Sequence, residues 1–303
     1  MGKPYRESAQ SGTGVAALLL VTLVWAFSFG IIGKTLSGVP PLFIGAVRLL
    51  IAGLCLLPFL RFRSVSSVGR LELGAIGALQ FGVMYLCYLS AFQYLEAWQV
   101  ALFSVFTPIW VAALDAAIKR EIVGRFFLAA ILSVVGASVI RAEGVPRGEF
   151  MTGFLLMQLS NIAFAGGQVW FREWKFRHPD TSEKEVFALL YLGALIFTLI
   201  AAGISGAFSP LPQLTAGQWG TLVYLGIVAS GLGFFLWNYG ASRVSAGFLA
   251  AANNLVVPLG VVIAIILNKS EPNWLTLTAG ALLIVGGLLV GKNRRTAEPN
   301  ASR

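Results

Sequence analysis

Charged residues are scarce in this sequence. Asp, Glu, Lys and Arg make up 12% of its 303 residues, whereas a soluble domain averages about 25%. Hydrophobic residues account for 57%, and the mean hydropathy is +0.80. This composition argues against a soluble domain and predicts a membrane protein.

Histidine and cysteine are nearly missing. The one histidine, His178, lies in a charged loop, so the sequence offers neither a His-containing metal cluster nor a Ser–His pair for nucleophilic catalysis. Cys55 and Cys87 lie within apolar segments, where a free thiol behaves as a small hydrophobe. We therefore predict no metal, no cofactor and no enzymatic activity.

Acidic residues are missing from the middle of the apolar segments. A proton relay through buried carboxylates, or a dedicated site for strongly cationic drugs, therefore has little support. Asp115 lies one helical turn before Lys119, a spacing that favours an ion pair. Arg48 is the one charge near the centre of a span, and two interpretations stay open: a functional site, or a side chain that orients the second helix against backbone carbonyls.

Long apolar runs, by contrast, follow one another along the whole chain. Each has about 18–22 residues, enough to cross a hydrocarbon core of about 30 Å. They predict an all-α membrane protein with ten transmembrane helices, at roughly 13–33, 39–60, 72–94, 97–116, 123–141, 151–171, 186–205, 218–238, 246–267 and 274–291.

The net charge of +9 is distributed unevenly between the connections. Of the 22 Lys and Arg residues, 17 fall in one alternating set of connections, 4 in the other, and Arg48 in a span. The positive-inside rule then places both termini, with short tails at 1–12 and 293–303, in the cytoplasm.

The expected location is the plasma membrane, which is the inner membrane in a bacterium. The expected partners are the lipid bilayer and a small-molecule substrate, not nucleic acid, with the chain a monomer or weak dimer.

The chain also contains an internal repeat. The segments "TPIWVAALDAAIKRE" (107–121) and "VPLGVVIAIILNKSE" (257–271) share Pro, Lys and Glu at a constant offset of 150 residues. This offset pairs the fourth helix with the ninth, and Gly136 with Gly286 pairs the fifth with the tenth. Because five helices per half is an odd number, the halves must have opposite orientations. We predict two inverted five-helix repeats, at 13–143 and 150–292, as in many secondary transporters.

Several segments resemble a known family in order and spacing. They are "WAFSF" (25–29), "PPLFIGAVRLL" (40–50) and "RVSAGFLAAANNLVVPLGVVIAIILNKSE" (243–271). Together with the repeat, they resemble the EamA branch of the drug/metabolite transporter superfamily. The resemblance implies a ten-helix exporter of amino acids, other metabolites or amphipathic toxic compounds.

Two prolines indicate where a binding site would lie. A proline within a helix frees the carbonyl four residues earlier, and in a membrane that carbonyl needs a partner or a wet cavity. Pro108 would free the carbonyl of Ser104, and Pro258 would free that of Asn254, and both of these residues have polar side chains. We predict a central cavity lined by Ser104, Pro108, Asn253, Asn254 and Pro258. The alternative is a pair of helix kinks satisfied within the bundle.

Further uncharged polar and aromatic residues recur at similar depth. Buried polar groups are costly unless they pair or line a cavity, although any single Tyr or Trp is also explained by packing or by an interfacial belt. As a set they predict aromatic walls with a few hydrogen-bonding groups, suited to an amphipathic or zwitterionic solute. The set is Trp25, Ser28, Gln80, Tyr85, Tyr88, Trp110, Gln158, Asn161, Trp237 and Asn238.

The repeat and the resemblance together favour one function. We predict a secondary transporter that exports small amphipathic or zwitterionic metabolites, such as amino acids, by alternating access. The alternative is a membrane-embedded enzyme or a scaffold without transport activity.

Overall fold

The computed structural model describes residues 11–36, 38–95, 100, 103–140, 150–206, 213–268 and 273–292. All regular structure in these ranges is helical, which confirms the all-α prediction for that part of the chain. The predicted tails lie outside the described residues, except for Ser11 and Gly12. The sparsely charged connections that carry Arg141, Arg147 and Lys269 also lie outside them.

We number the helices α1 to α10. In the first half they are α1 Gly12–Thr35, α2 Pro41–Leu56 with a 3-10 turn Leu57–Phe59, α3 Ser67–Ala91, α4 Thr107–Lys119 and α5 Gly124–Ile140. In the second half they are α6 Phe150–Arg177, α7 Glu183–Ser205, α8 Ala216–Ala241, α9 Ala246–Ala252 and Val256–Asn268 around a 3-10 turn Asn253–Leu255, and α10 Trp274–Gly291.

Five helical stretches in the described residues are long and apolar enough to cross a membrane, judged by length and composition. They are Pro41–Phe59, Ser67–Ala91, Glu183–Ser205, Ala216–Ala241 and Trp274–Gly291. Shorter apolar helices occur at Gly12–Ser28, Gly124–Val139 and Ala246–Gly260. Exposed leucines and isoleucines cover the outer surface of the bundle, as expected where lipid replaces water.

The fourth helix of each half is broken near its proline. The apolar run at 97–116 predicts one continuous helix. In the structure, helical residues at 103–104 are followed by a turn at 105–106, and α4 begins after that turn at Thr107. Pro108 therefore lies in the first turn of α4, where backbone N–H groups have no intrahelical partner and proline costs little. Pro258 has the same position, just after the 3-10 turn in α9. The two breaks coincide at the 150-residue offset.

The third helix of each half contains a π-helical segment. These segments are Ala78–Val83 in α3 and Leu225–Leu232 in α8, again close to the 150-residue offset. A π segment changes the backbone hydrogen-bond pattern and leaves carbonyls free for other donors. In α8 the Ala229 carbonyl accepts from Trp25 Nε1 at 2.8 Å, and the Ser230 carbonyl accepts from the Tyr191 hydroxyl at 2.7 Å.

The buried side chains form two main clusters that do not follow the two sequence halves. One cluster combines α2 and α3 with α7 and α8, and the other combines α4 and α5 with α9 and α10. Residues of α1 and α6 pack against both. Each cluster therefore contains helices from both halves, and the end of α8, with Trp237 and Ala241, belongs to the second cluster.

Ionic contacts gather at one end of the bundle, which we call the charged end. There Arg243 pairs with Glu183 at 2.6 Å, and the Arg243 carbonyl accepts from the backbone N–H of Ser11 at 3.0 Å. The contacts join the start of α1, the ends of α4, α6 and α8, and the starts of α3 and α7. We define the charged end by Glu72, Asp115, Lys119, Arg172, Arg177, Glu183 and Arg243.

Candidate functional site

A cavity lies between the two clusters, where the broken helices α4 and α9 meet α1, α2, α3, α6 and α8. Its volume is about 150 Å³, counted as the space open to the centre of a water-sized sphere. Half of the sixteen residues singled out from the sequence line this cavity. They are Trp25, Ser28, Arg48, Tyr85, Tyr88, Ser104, Asn161 and Asn253.

The other eight lie outside the lining, namely Gln80, Pro108, Trp110, Gln158, Trp237, Asn238, Asn254 and Pro258. The polar side chains among them each make at least one hydrogen bond to another protein group. Trp110 Nε1 donates to Gln158 Oε1 at 3.1 Å. Gln80 Nε2 donates to Asn238 Oδ1 at 3.1 Å, which joins α3 to α8. In this arrangement these residues support the wall rather than form its surface.

Sequence reasoning missed nine lining residues, which are Ile32, Met84, Thr107, Met157, Ser160, Phe164, Ala229, Phe234 and Val256. Seven of the nine are apolar, and such residues carry no signal in a chain this hydrophobic; the polar exceptions are Thr107 and Ser160. One signal was available on α6, since Met157 and Phe164 lie four residues before and three residues after Asn161. Residues at that spacing share a helix face, so a cavity at Asn161 implied them.

Polar side chains satisfy the backbone at the break before α4. Asn161 Nδ2 donates to the Phe103 carbonyl at 2.8 Å, and Asn254 Nδ2 donates to the Val105 carbonyl at 2.9 Å. Thr107 Oγ1 donates to the Ser104 carbonyl at 2.7 Å. Irregular backbone at membrane depth requires such partners. The break therefore creates a polar wall inside an apolar bundle.

Arg48 is the one charged side chain in the described lining. It is 5% exposed, and its Nε donates to Ser230 Oγ at 3.1 Å. Its guanidinium carbon lies 4.7 Å from the centre of the Tyr85 ring, and the Tyr85 hydroxyl lies 3.0 Å from Ser230 Oγ. The three side chains come from α2, α3 and α8, so they join both halves of the chain.

Aromatic rings separate the cavity from the charged end. Trp25 packs against Phe234 and Trp237, with ring centroids 5.3 Å and 4.9 Å away, and against Phe164 at 5.9 Å. Trp237 is 1% exposed and its Nε1 donates to Gln168 Oε1 at 2.8 Å. We call these four packed rings, Trp25, Phe164, Phe234 and Trp237, the aromatic floor of the cavity.

Below the floor, a buried ionic network ties the helices together. Arg172 NH1 lies 3.0 Å from Asp115 Oδ1, and its NH2 donates to the Val244 carbonyl at 3.0 Å. Lys119 Nζ lies 2.7 Å from Asp115 Oδ2, so the ion pair predicted from the helical spacing is present. The network joins α4, α6 and the connection from α8 to α9, which closes the bundle at this end.

Metal chemistry has no support in the described residues, among which no group of three or more His, Cys, Asp or Glu side chains could hold an ion. The cavity instead combines aromatic surfaces, amide and hydroxyl groups and one guanidinium. Such a lining can bind an organic solute through several modest hydrogen bonds and apolar contact.

Comparisons with known proteins identify relatives of the chain and a structure with the same fold. The chain is 41% identical to the biotin transporter of Escherichia coli strain K12, over 95% of this chain and 96% of that protein. It is 27% identical to the probable terminal-alkyne amino-acid exporter of Streptantibioticus cattleyicolor, over 93% and 94%. A solved crystal structure shares the fold with a TM-score of 0.72 at 20% identity, covering 92% of this chain and 95% of its own.

The family match covers both halves of the sequence. The EamA-like transporter family matches residues 12–142 and 151–291, which confirms the resemblance and the expectation of a transporter rather than an enzyme. A transporter of this family is an integral membrane protein that carries a small-molecule substrate. The chain belongs to the EamA-like transporter family.

Proposed function

We propose that this protein is a secondary transporter that moves a small amphipathic metabolite across the cytoplasmic membrane by alternating access, with biotin as the first candidate. The observation that carries the proposal is the cavity between the two clusters. It lies where the helices break, it has polar and aromatic walls, and it is closed at one end by the aromatic floor and the charged end.

The architecture that we propose is ten transmembrane helices in two inverted repeats. The helix breaks in α4 and α9 and the π segments in α3 and α8 recur at the 150-residue offset, which supports the repeat. Two matched and oppositely oriented halves give two alternative packings around one site. The mixed clusters, each with helices from both halves, could then rock against each other.

The orientation that we propose places the charged end in the cytoplasm, as the distribution of Lys and Arg predicts. The cavity lies about 12 Å further along α4 than Asp115, since Thr107 and Asp115 are eight residues apart. In this orientation the structure corresponds to the state closed to the cytoplasm. Opening of the cavity towards the cytoplasm then requires the contacts of Arg172 with Asp115 and with the Val244 carbonyl to break.

Biotin is the first candidate because the E. coli relative is named for it and because its chemistry fits. Its ureido ring has N–H donors and a carbonyl acceptor, which suit Asn161, Ser160 and Asn253 in the lining. Its apolar chain suits Phe164 and Met157. We retain export of amino acids as the second candidate, since the S. cattleyicolor relative is named as an amino-acid exporter and the same groups suit a zwitterion.

Counterflow in proteoliposomes tests the proposal. Vesicles are loaded with unlabelled biotin or with an amino acid mixture, and uptake of the labelled compound is followed against protein-free vesicles. We expect transient accumulation of labelled biotin that is recovered chemically unchanged. Recovery of a converted product would instead support the membrane-embedded enzyme, and flux of amino acids alone would select the second candidate.

A further inference from the structure

We propose that Arg48 is the anchor for a carboxylate of the substrate, so that the transported compound is an organic anion. This inference rests on the proposed transport function and specifies the chemistry of its site. It comes from one relationship, namely a buried guanidinium that lines the cavity and has no carboxylate partner among the described residues.

The pairing of Arg48 is incomplete. Only its Nε has a hydrogen-bond partner in the described residues, the hydroxyl of Ser230, and no described Asp or Glu lies within ion-pair distance of it. The two terminal nitrogens have no hydrogen-bond partner in the described residues, yet they are not fully buried. The side chain lines the cavity. These nitrogens therefore point donors at the space that a solute would fill.

A second buried arginine in the same protein shows what a purely structural one looks like. Arg172 is 1% exposed, and its terminal nitrogens meet the Asp115 carboxylate and the Val244 carbonyl. A buried charge without a counter-charge is expensive, so structural arginines acquire such partners. Arg48 has a hydroxyl and an aromatic face instead. An incoming anion would supply the missing charge.

The neighbours of Arg48 hold it for this role. The Tyr85 ring supports the guanidinium plane at 4.7 Å, and Ser230 Oγ holds Nε, which leaves the opposite edge of the fork free. A guanidinium fork binds the two oxygens of a carboxylate through parallel N–H bonds. The described lining holds no acidic side chain that would repel an anion. The fitting substrate class is an amphipathic monocarboxylate.

The first test compares an acid with its neutral analogues in the unaltered protein. Proteoliposome counterflow is measured with labelled biotin, and with a panel of labelled monocarboxylates and the corresponding methyl esters and amides. We expect the acids to be carried, and the esters and amides to compete at least tenfold more weakly.

Equal competition by acid and ester would overturn the proposal that Arg48 anchors a carboxylate. Flux of neutral or cationic solutes without flux of any acid would overturn it too. In both cases the proposed transport function stands. No flux of any compound would reject the transport function and the anchor with it.

The second test changes the arginine. Arg48→Gln removes the charge, and we expect it to raise the half-saturation concentration for the acid at least tenfold while competition by the methyl ester changes less than about twofold. Arg48→Lys keeps the charge but not the fork, so an intermediate effect is expected. The matched control is Arg63→Gln, at an exposed arginine in the connection after α2, which should behave as the unaltered protein. An equal loss of acid and ester binding in well-folded Arg48→Gln protein would show that Arg48 is only structural.

Discussion

The side-chain amide of Asn254 donates a 2.9 Å hydrogen bond to the backbone carbonyl of Val105. The donor lies in the 3-10 turn of α9 and the acceptor lies at the break before α4. The backbone breaks at α4 and α9 therefore meet each other. Each break leaves carbonyls without helical partners, and this bond satisfies one of them across the interface between the halves.

The first prediction compares Asn254 with its neighbour Asn253. Asn254→Ala leaves the Val105 carbonyl buried and unpaired, so we expect a loss of about 1–3 kcal/mol in the free energy of unfolding. Asn253 lines the cavity, and within the described residues its side chain bonds only to the Leu249 carbonyl of its own helix, so Asn253→Ala should lower substrate affinity with little loss of stability. Thermal unfolding in detergent and counterflow measure the two effects. Equal midpoints for the two variants would contradict the assignment.

The second prediction concerns the buried network at the charged end. Arg172→Gln leaves the Asp115 carboxylate with less compensation, and breaking a buried ion pair costs about 3–5 kcal/mol. Asp115→Asn should cost more than Arg172→Gln, because it leaves Arg172 and Lys119 both without their carboxylate, whereas Arg172→Gln leaves Asp115 paired with Lys119. Adding Arg172→Gln to Asp115→Asn should therefore cost less than Arg172→Gln costs alone. A thermal-unfolding cycle measures the coupling.

The control for the network is an exposed ion pair at the same end. Arg61 pairs with Glu185 at 3.6 Å, and the Arg61 side chain is 74% exposed. Surface pairs of this kind contribute about 0–1 kcal/mol, so Arg61→Gln should leave the unfolding midpoint nearly unchanged. If Arg61→Gln lowered the unfolding midpoint as much as Arg172→Gln, burial would not explain how the network stabilises the protein.

The third prediction tests the close crossing of α3 and α7. A Cβ atom added at Gly77 would overlap the Leu190 carbonyl, and one added at Gly193 would overlap the Gly74 carbonyl. Gly77→Ala should therefore force the helices apart and reduce folded protein sharply. Gly203→Ala in α7 is the matched control, since nothing lies within 4 Å of its added Cβ. Size-exclusion profiles of the two variants measure the difference, and similar profiles would contradict the packing.

The fourth prediction tests the proposed orientation. A reporter enzyme that is active only outside the cytoplasm, fused after Arg295, should be silent, because the Lys and Arg distribution places that end inside. The same reporter inserted after Arg147 should be active. A reversal of the two signals would reject both the orientation and the assignment of the charged end to the cytoplasm.

The sequence determined the membrane class and most of the helical segments, and it predicted the repeat. Apolar length and composition are local properties, so the runs alone placed α5, α7 and α10 within a few residues of their observed bounds. Scarce residues at a constant offset predicted the repeat, because chance matches of Pro, Lys and Glu are rare in such a chain. The Asp115–Lys119 pair was equally predictable, since one helical turn determines it.

Only the tertiary structure decided which polar groups reach the cavity. Asn254 and Asn253 are adjacent in sequence, yet one bonds across to the other half and the other faces the cavity. Arg172 reaches Asp115 from 57 residues away, and Ser230 meets Arg48 from 182 residues away. The sequence pattern reports which residues share a helix face. Which neighbour that face meets depends on how the broken helices pack, and that is settled by contacts between segments far apart in the chain.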